Sequence, residues 1–128
     1  MNMKPAVRIA FMLMTFAWMA LIFYLSSIPD LKSALPTVWD QVFRKLFHMV
    51  EFGVLCFLVY ISVSGTRNAL RIAVIVSVLY AISDEWHQSF VAHRYPSVLD
   101  VGFDGVGIAL ATAYIKKSHP PFGPGFFS

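Results

Sequence analysis

The run 9–25 contains no charged side chain, and it constrains this chain more than any other feature. A helix needs about 20 predominantly apolar residues, with a range of roughly 17–25, to cross bilayer hydrocarbon. This run qualifies by itself. Three further stretches, 52–63, 72–83 and 106–115, are also uncharged but shorter. They reach spanning length only with their polar flanks, which are thereby placed within or just outside the hydrocarbon. The chain is 58% hydrophobic and 13% charged, whereas soluble domains run about 45–50% apolar and about 25% charged. The expected fold is all-α, a four-helix transmembrane bundle in a polytopic membrane protein.

The whole length, 1–128, is used by one domain with helices near 6–25, 41–64, 69–90 and 99–115. Segment 1–8 is short and basic and precedes an apolar run, as in a signal peptide. That run is longer than the usual 7–15 residues and no small-residue cleavage site follows, so a retained first helix is expected. Ser26, Ser27, Ile28 and Pro29 end it, since proline cannot continue the helical ladder. Segment 31–43, with Pro36, reads as an amphipathic connector on the membrane surface. Gly65 closes the second helix, and Pro96 sits in the third loop. On the fourth helix Gly102, Gly105, Gly107, Ala109, Ala111 and Ala113 offer a small-residue surface for close helix contact. Trp18, Tyr24, Trp39, Trp86 and Tyr95 read as interfacial aromatics. The single Cys56 excludes an internal disulfide.

Ten Lys and Arg against seven Asp and Glu leave a net charge of +3. In a membrane chain such an excess reads as basic cytoplasmic loops, and nucleic-acid binding is not expected. With the N-terminus inside, Lys4, Arg8, Arg67, Arg71, Lys116 and Lys117 lie in the cytoplasm. Lys32, Arg44, Lys45 and Arg94 lie outside. The expected topology is multi-pass, with both termini cytoplasmic.

Alternating helix direction has a sharper consequence. The end of helix one, the start of two, the end of three and the start of four share one face. All seven acids, Asp30, Asp40, Glu51, Asp84, Glu85, Asp100 and Asp104, fall near it. Ionisable groups at hydrocarbon depth are costly and normally face a protein interior or a wet cavity. A polar chamber is expected there, built from Lys45, His48 and Glu51, then Asp84, Glu85, His87 and Gln88, then Arg94, Asp100 and Asp104. Lys45, His48 and Glu51 recur at i, i+3, i+6; Asp84 and Gln88, like Asp100 and Asp104, recur at i, i+4.

Two chemistries suit these residue types. Carboxylates with histidine hold a divalent cation, and an oxygen-rich site favours Mg²⁺; Asp100 and Asp104 are the candidate metal ligands. Alternatively His48, Asp84 and Glu85 carry protons while Lys45, Glu51, Gln88 and Arg94 contact a ligand headgroup. A structural ion-pair network, with Asp84 on Arg94 or Glu51 on Lys45, is the plain counter-reading. Small-solute transport would need an oligomer, because there is no inverted repeat or broken helix pair; the homo-oligomeric state stays open.

Lys45-Leu46-Phe47-His48 followed by Glu51-Phe52, then Asp84-Glu85-x-x-Gln88, then Arg94, Ser97, Asp100, Asp104 and Gly107 closely resemble the motifs of the VanZ-like family of small bacterial membrane proteins. The resemblance covers about 26–113. It differs at Ala92-His93, where many members carry Pro-Gly, and at Asp104, where many carry asparagine. The resemblance implies a polytopic inner-membrane protein of the cell envelope, in a family labelled by low-level resistance to the glycopeptide teicoplanin. It supplies no established reaction. The expected ligand is the headgroup of a membrane lipid or a lipid-linked envelope precursor, bound and either acted on by hydrolysis or transfer, or held without catalysis by a scaffold protein.

The topology is checked by labelling. In a Cys56→Ala background, Ser97→Cys is expected to react with an impermeant maleimide in intact cells, and protection would reverse the orientation.

Overall fold

A computed structural model describes residues 3–28, 37–91 and 98–118. Four helices occupy almost all of them: α1 (Pro5–Ser27), α2 (Thr37–Ser62), α3 (Ala69–Gln88) and α4 (Val98–Ser118). Pro5 opens α1 at the first helical position, where its missing N–H would have had no partner. The 23 residues of α1 rise about 35 Å at 1.5 Å each, enough for a bilayer core of about 30 Å. Among the described residues, α1 and α4 are long and apolar enough to cross a membrane. Gly65, at φ 97°, turns the chain out of α2; only glycine adopts that conformation without a Cβ penalty.

The second helix begins at Thr37 rather than near Gln41. Its first turns, expected as part of a surface connector, continue in register with the helix. The rest of that connector, 31–36 with Pro36, lies outside the described residues. The third helix ends at Gln88, and Ser89, Phe90 and Val91 close it through single-turn hydrogen bonds to Trp86, His87 and Gln88 carbonyls.

The helices run alternately up and down. Arg8 on the first turn of α1 donates to the Ser64 carbonyl just past α2, at 2.6 Å, which marks one end of the bundle. Phe52, Leu55, Cys56, Tyr60, Ala73, Ala81 and Ile108 fill the interior. Outside, Leu13, Phe16, Val50, Leu79 and Leu110 are all more than half exposed. So much apolar surface facing outward on every helix suits hydrocarbon better than water.

The most extensive interface is between α2 and α4, and its centre is a backbone contact. A Cβ built on Gly107 would overlap the Met49 carbonyl oxygen, and one on Gly53 would approach the Gly107 carbonyl to 3.2 Å. The broad glycine and alanine surface expected of α4 is therefore narrower in fact. Gly102 and Gly105 have nothing within 4 Å of such an atom.

Gly107→Ala is accordingly expected to lower stability by about 1–3 kcal/mol, the usual cost of overpacking. Gly102→Ala should be neutral or slightly stabilising, since alanine is the better helix former. Unfolding midpoints of the purified protein in SDS titrations measure both.

Candidate functional site

At the end of the bundle away from Arg8, His48 of α2 lies between two carboxylates. Its Nδ1 is 3.6 Å from Glu51 Oε2, one turn along α2, and 3.5 Å from Asp104 Oδ1 on α4. The Asp104 side chain is 1% exposed and that of Glu51 5%, while His48 keeps 25% exposed. The imidazole is thus the accessible member of the trio. His48 Nδ1 and the buried Asp104 Oδ1 lack a well-aligned hydrogen-bond partner. Catalytic hydrogen bonds are often long before a ligand arrives. Asp84, buried on α3, lies within electrostatic range of both His48 and Asp104.

Around this trio polar ties join α1 to α2 and to α3. Gln88 Nε2 donates to Asp84 Oδ2 at 3.2 Å and to Ser26 Oγ of α1 at 3.3 Å. Ser27 Oγ and His87 Nε2 share a hydrogen bond of 2.9 Å, and the His87 ring stacks on Phe23 at 4.2 Å between centroids. His87 is thereby committed to joining α3 to α1. Trp18 Nε1 donates to the Glu51 carbonyl at 2.9 Å, and Tyr80 Oη to the Met19 carbonyl at 2.6 Å. Both bonds reach across helices to backbone oxygens at the level of the site.

The i, i+3, i+6 stripe of Lys45, His48 and Glu51 divides. Lys45 Nζ donates to Asp100 Oδ1 at 3.2 Å and lies 4.9 Å from the Phe103 ring centroid. Each step of three residues turns the helix by about −60°, so Lys45 and Glu51 end about 120° apart. One faces α4 and the other the interior. Lys45 therefore pairs with Asp100 rather than with Glu51. Asp100 and Asp104 likewise part, the first to Lys45 and the second to His48. Among the described residues no three His, Cys, Asp or Glu converge in a geometry that holds a metal ion. Glu85 is half-buried on the last turn of α3. Arg94 lies outside the described residues, as do His93 and Lys32. Trp18 reads from the sequence as an interfacial aromatic, and nothing in the sequence alone marks its bond to the Glu51 carbonyl.

A bundle of apolar helices carrying buried carboxylates and an imidazole set between two of them at a single end is the class of protein that this fold and site define. The family described as VanZ/LLP1 matches residues 2–117, and the chain belongs to it. No curated protein matches the chain. No solved structure matches it either.

Two substitutions separate the buried network from the peripheral ion pair. Gln88→Leu removes a donor from a buried carboxylate and is expected to cost about 1–3 kcal/mol. Lys45→Gln breaks a pair that is a third exposed and should cost about 1 kcal/mol or less. Both are read from unfolding midpoints in detergent, and equal costs would contradict the assignment of burial.

Proposed function

We propose that the chain is a multi-pass protein of the bacterial inner membrane, with both termini cytoplasmic, whose His48 end binds the headgroup of an envelope lipid or lipid-linked precursor. The observation that carries this reading is the placement of His48 between Glu51 and Asp104, two carboxylates that are almost fully buried while the imidazole keeps an exposed edge. Charged groups cost heavily in such surroundings unless they are paired or used.

In this reading Nδ1–H is directed at the two carboxylates, which fix the ring and its tautomer. Nε2 is then the nitrogen that accepts a proton from a bound headgroup. Asp84, oriented by Gln88, and the half-buried Glu85 supply further acceptors for headgroup donors. Arg94 and Lys45 are the cations for an anionic portion. The same arrangement supports acid–base hydrolysis or transfer at the headgroup, and it equally supports binding alone. Resistance to teicoplanin, the family label, would follow if the bound lipid were one on which the antibiotic acts.

A second reading is favoured by the ties between helices. Gln88 to Ser26, His87 to Ser27 and Lys45 to Asp100 each join two helices, as a scaffold with a structural polar cluster would require.

Mass spectrometry of lipids co-purifying with the full chain decides between them. The wild type is expected to retain one envelope lipid class stoichiometrically. His48→Gln and Asp84→Asn are expected to reduce that lipid at least tenfold at unchanged folded yield, which corresponds to about 1.4 kcal/mol or more of binding. Retention unaltered in both variants would refute the headgroup site. A collapse of folded yield with normal retention in the surviving protein would establish the structural reading.

A further inference from the structure

A concave surface lies between α3 and α4. It is a groove of about 490 Å³ whose lining includes Val74, Val78, Gly105, Ala109, Ala113 and Lys116. Gly105, Ala109 and Ala113 recur every fourth residue of α4, so small side chains keep the floor low along one stripe. No atom comes within 4 Å of a Cβ built on Gly105. The groove therefore exists because of what these positions omit.

One end of it is cationic. Lys116 is exposed and belongs to the lining. Arg71, also exposed, precedes Val74 and Val78 at i, i+3, i+7 and so shares their face of α3. Since α3 and α4 run antiparallel, the start of one and the end of the other meet at the same end of the bundle. Lys4, Arg8, Arg67 and Lys117 lie at this end too, and no Asp or Glu does among the described residues.

Length supplies an independent match. From Gly105 to Lys116 the helix rises about 16 Å, close to half of a hydrocarbon core of about 30 Å. The apolar stretch thus covers one leaflet and stops where headgroups begin.

We propose that this groove is a binding site for an anionic phospholipid of that leaflet. An acyl chain lies along Val74, Val78, Ala109 and Ala113, and the phosphate meets Lys116 and Arg71. The site is at the opposite end of the bundle from His48 and stands whatever that end binds. A second copy of the chain is the competing occupant, since small residues every fourth position also suit helix pairing. Charge argues against it. A two-fold contact through this face sets like residues of both copies near one axis, bringing Lys116 toward Lys116 and Arg71 toward Arg71, and like-charge juxtaposition disfavours the pair.

Native mass spectrometry of the full chain, mixed in detergent with phosphatidylglycerol or with phosphatidylcholine of the same acyl chains, tests the site. The wild type is expected to retain phosphatidylglycerol in preference. Lys116→Gln and Arg71→Gln should each weaken that lipid about fivefold and leave phosphatidylcholine unchanged. Ala113→Leu, which fills the groove, should weaken both lipids. Equal retention of the two lipids by the wild type would overturn the proposal. So would a phosphatidylglycerol preference that survives in the Lys116→Gln, Arg71→Gln double variant, or a wild-type dimer that Ala113→Leu dissociates. Both charge variants change exposed side chains, so the test stands even where the groove-filling variant fails to fold.

Discussion

The approach of α2 to α4 at Gly53 and Gly107 is the constraint on which the rest of the structure depends. Between apolar helices in hydrocarbon there is no hydrophobic drive to associate, so close packing and polar contacts must hold them. The Gly107 backbone lies directly on the Met49 carbonyl, nearer than any side chain would permit. One turn away toward the carboxylate end, that approach brings Asp104 within 3.5 Å of His48. Two turns away it brings Asp100 within 3.2 Å of Lys45. A wider interface would leave the Asp104 carboxylate facing apolar side chains with no imidazole beside it, at a desolvation cost of several kcal/mol.

The two ends of the bundle differ in kind. At the His48 end, buried acids are drawn inward, with His48 beside Glu51 and Asp104 and Gln88 donating to Asp84. At the Arg8 end, apart from Arg8 itself, the cations stand outward, and the groove between α3 and α4 runs up to them. Between the ends the polar contacts are modest. Thr15 and Ser62 hydroxyls meet at 3.0 Å; one donates across to the other, which in turn donates to a carbonyl of its own preceding turn. Hydroxyl pairs of this sort join helices at small cost, because the backbone satisfies them locally.

Much of this was legible in the sequence, for identifiable reasons. Charge-free runs of helical length, with Pro29 and Gly65, locate four helices, and alternation alone brings Glu51, Asp84, Asp100 and Asp104 to one end. The start of α2 was less legible, since 37–40 fall in the stretch 31–43 that reads as a surface connector until the helix is seen to begin at Thr37. The pairing of Lys45 was not legible, because a three-residue spacing drifts around the helix and the sequence does not say how far the partner helix extends. The contact of Gly53 with Gly107 was also hidden, since a glycine does not announce which backbone approaches it. Nor does Trp18 reveal that its indole N–H reaches a carbonyl on another helix.

The account stands or falls on the juxtaposition of His48 with Asp104 in a bilayer. Solid-state NMR of the full chain in lipid, with ¹⁵N-labelled histidine and ¹³C-labelled aspartate, measures it directly. The structure predicts dipolar coupling between His48 Nδ1 and the Asp104 carboxyl carbon, consistent with the 3.5 Å separation of Nδ1 from Oδ1, lost in Asp104→Leu. Absence of that coupling in the folded wild type would contradict the site.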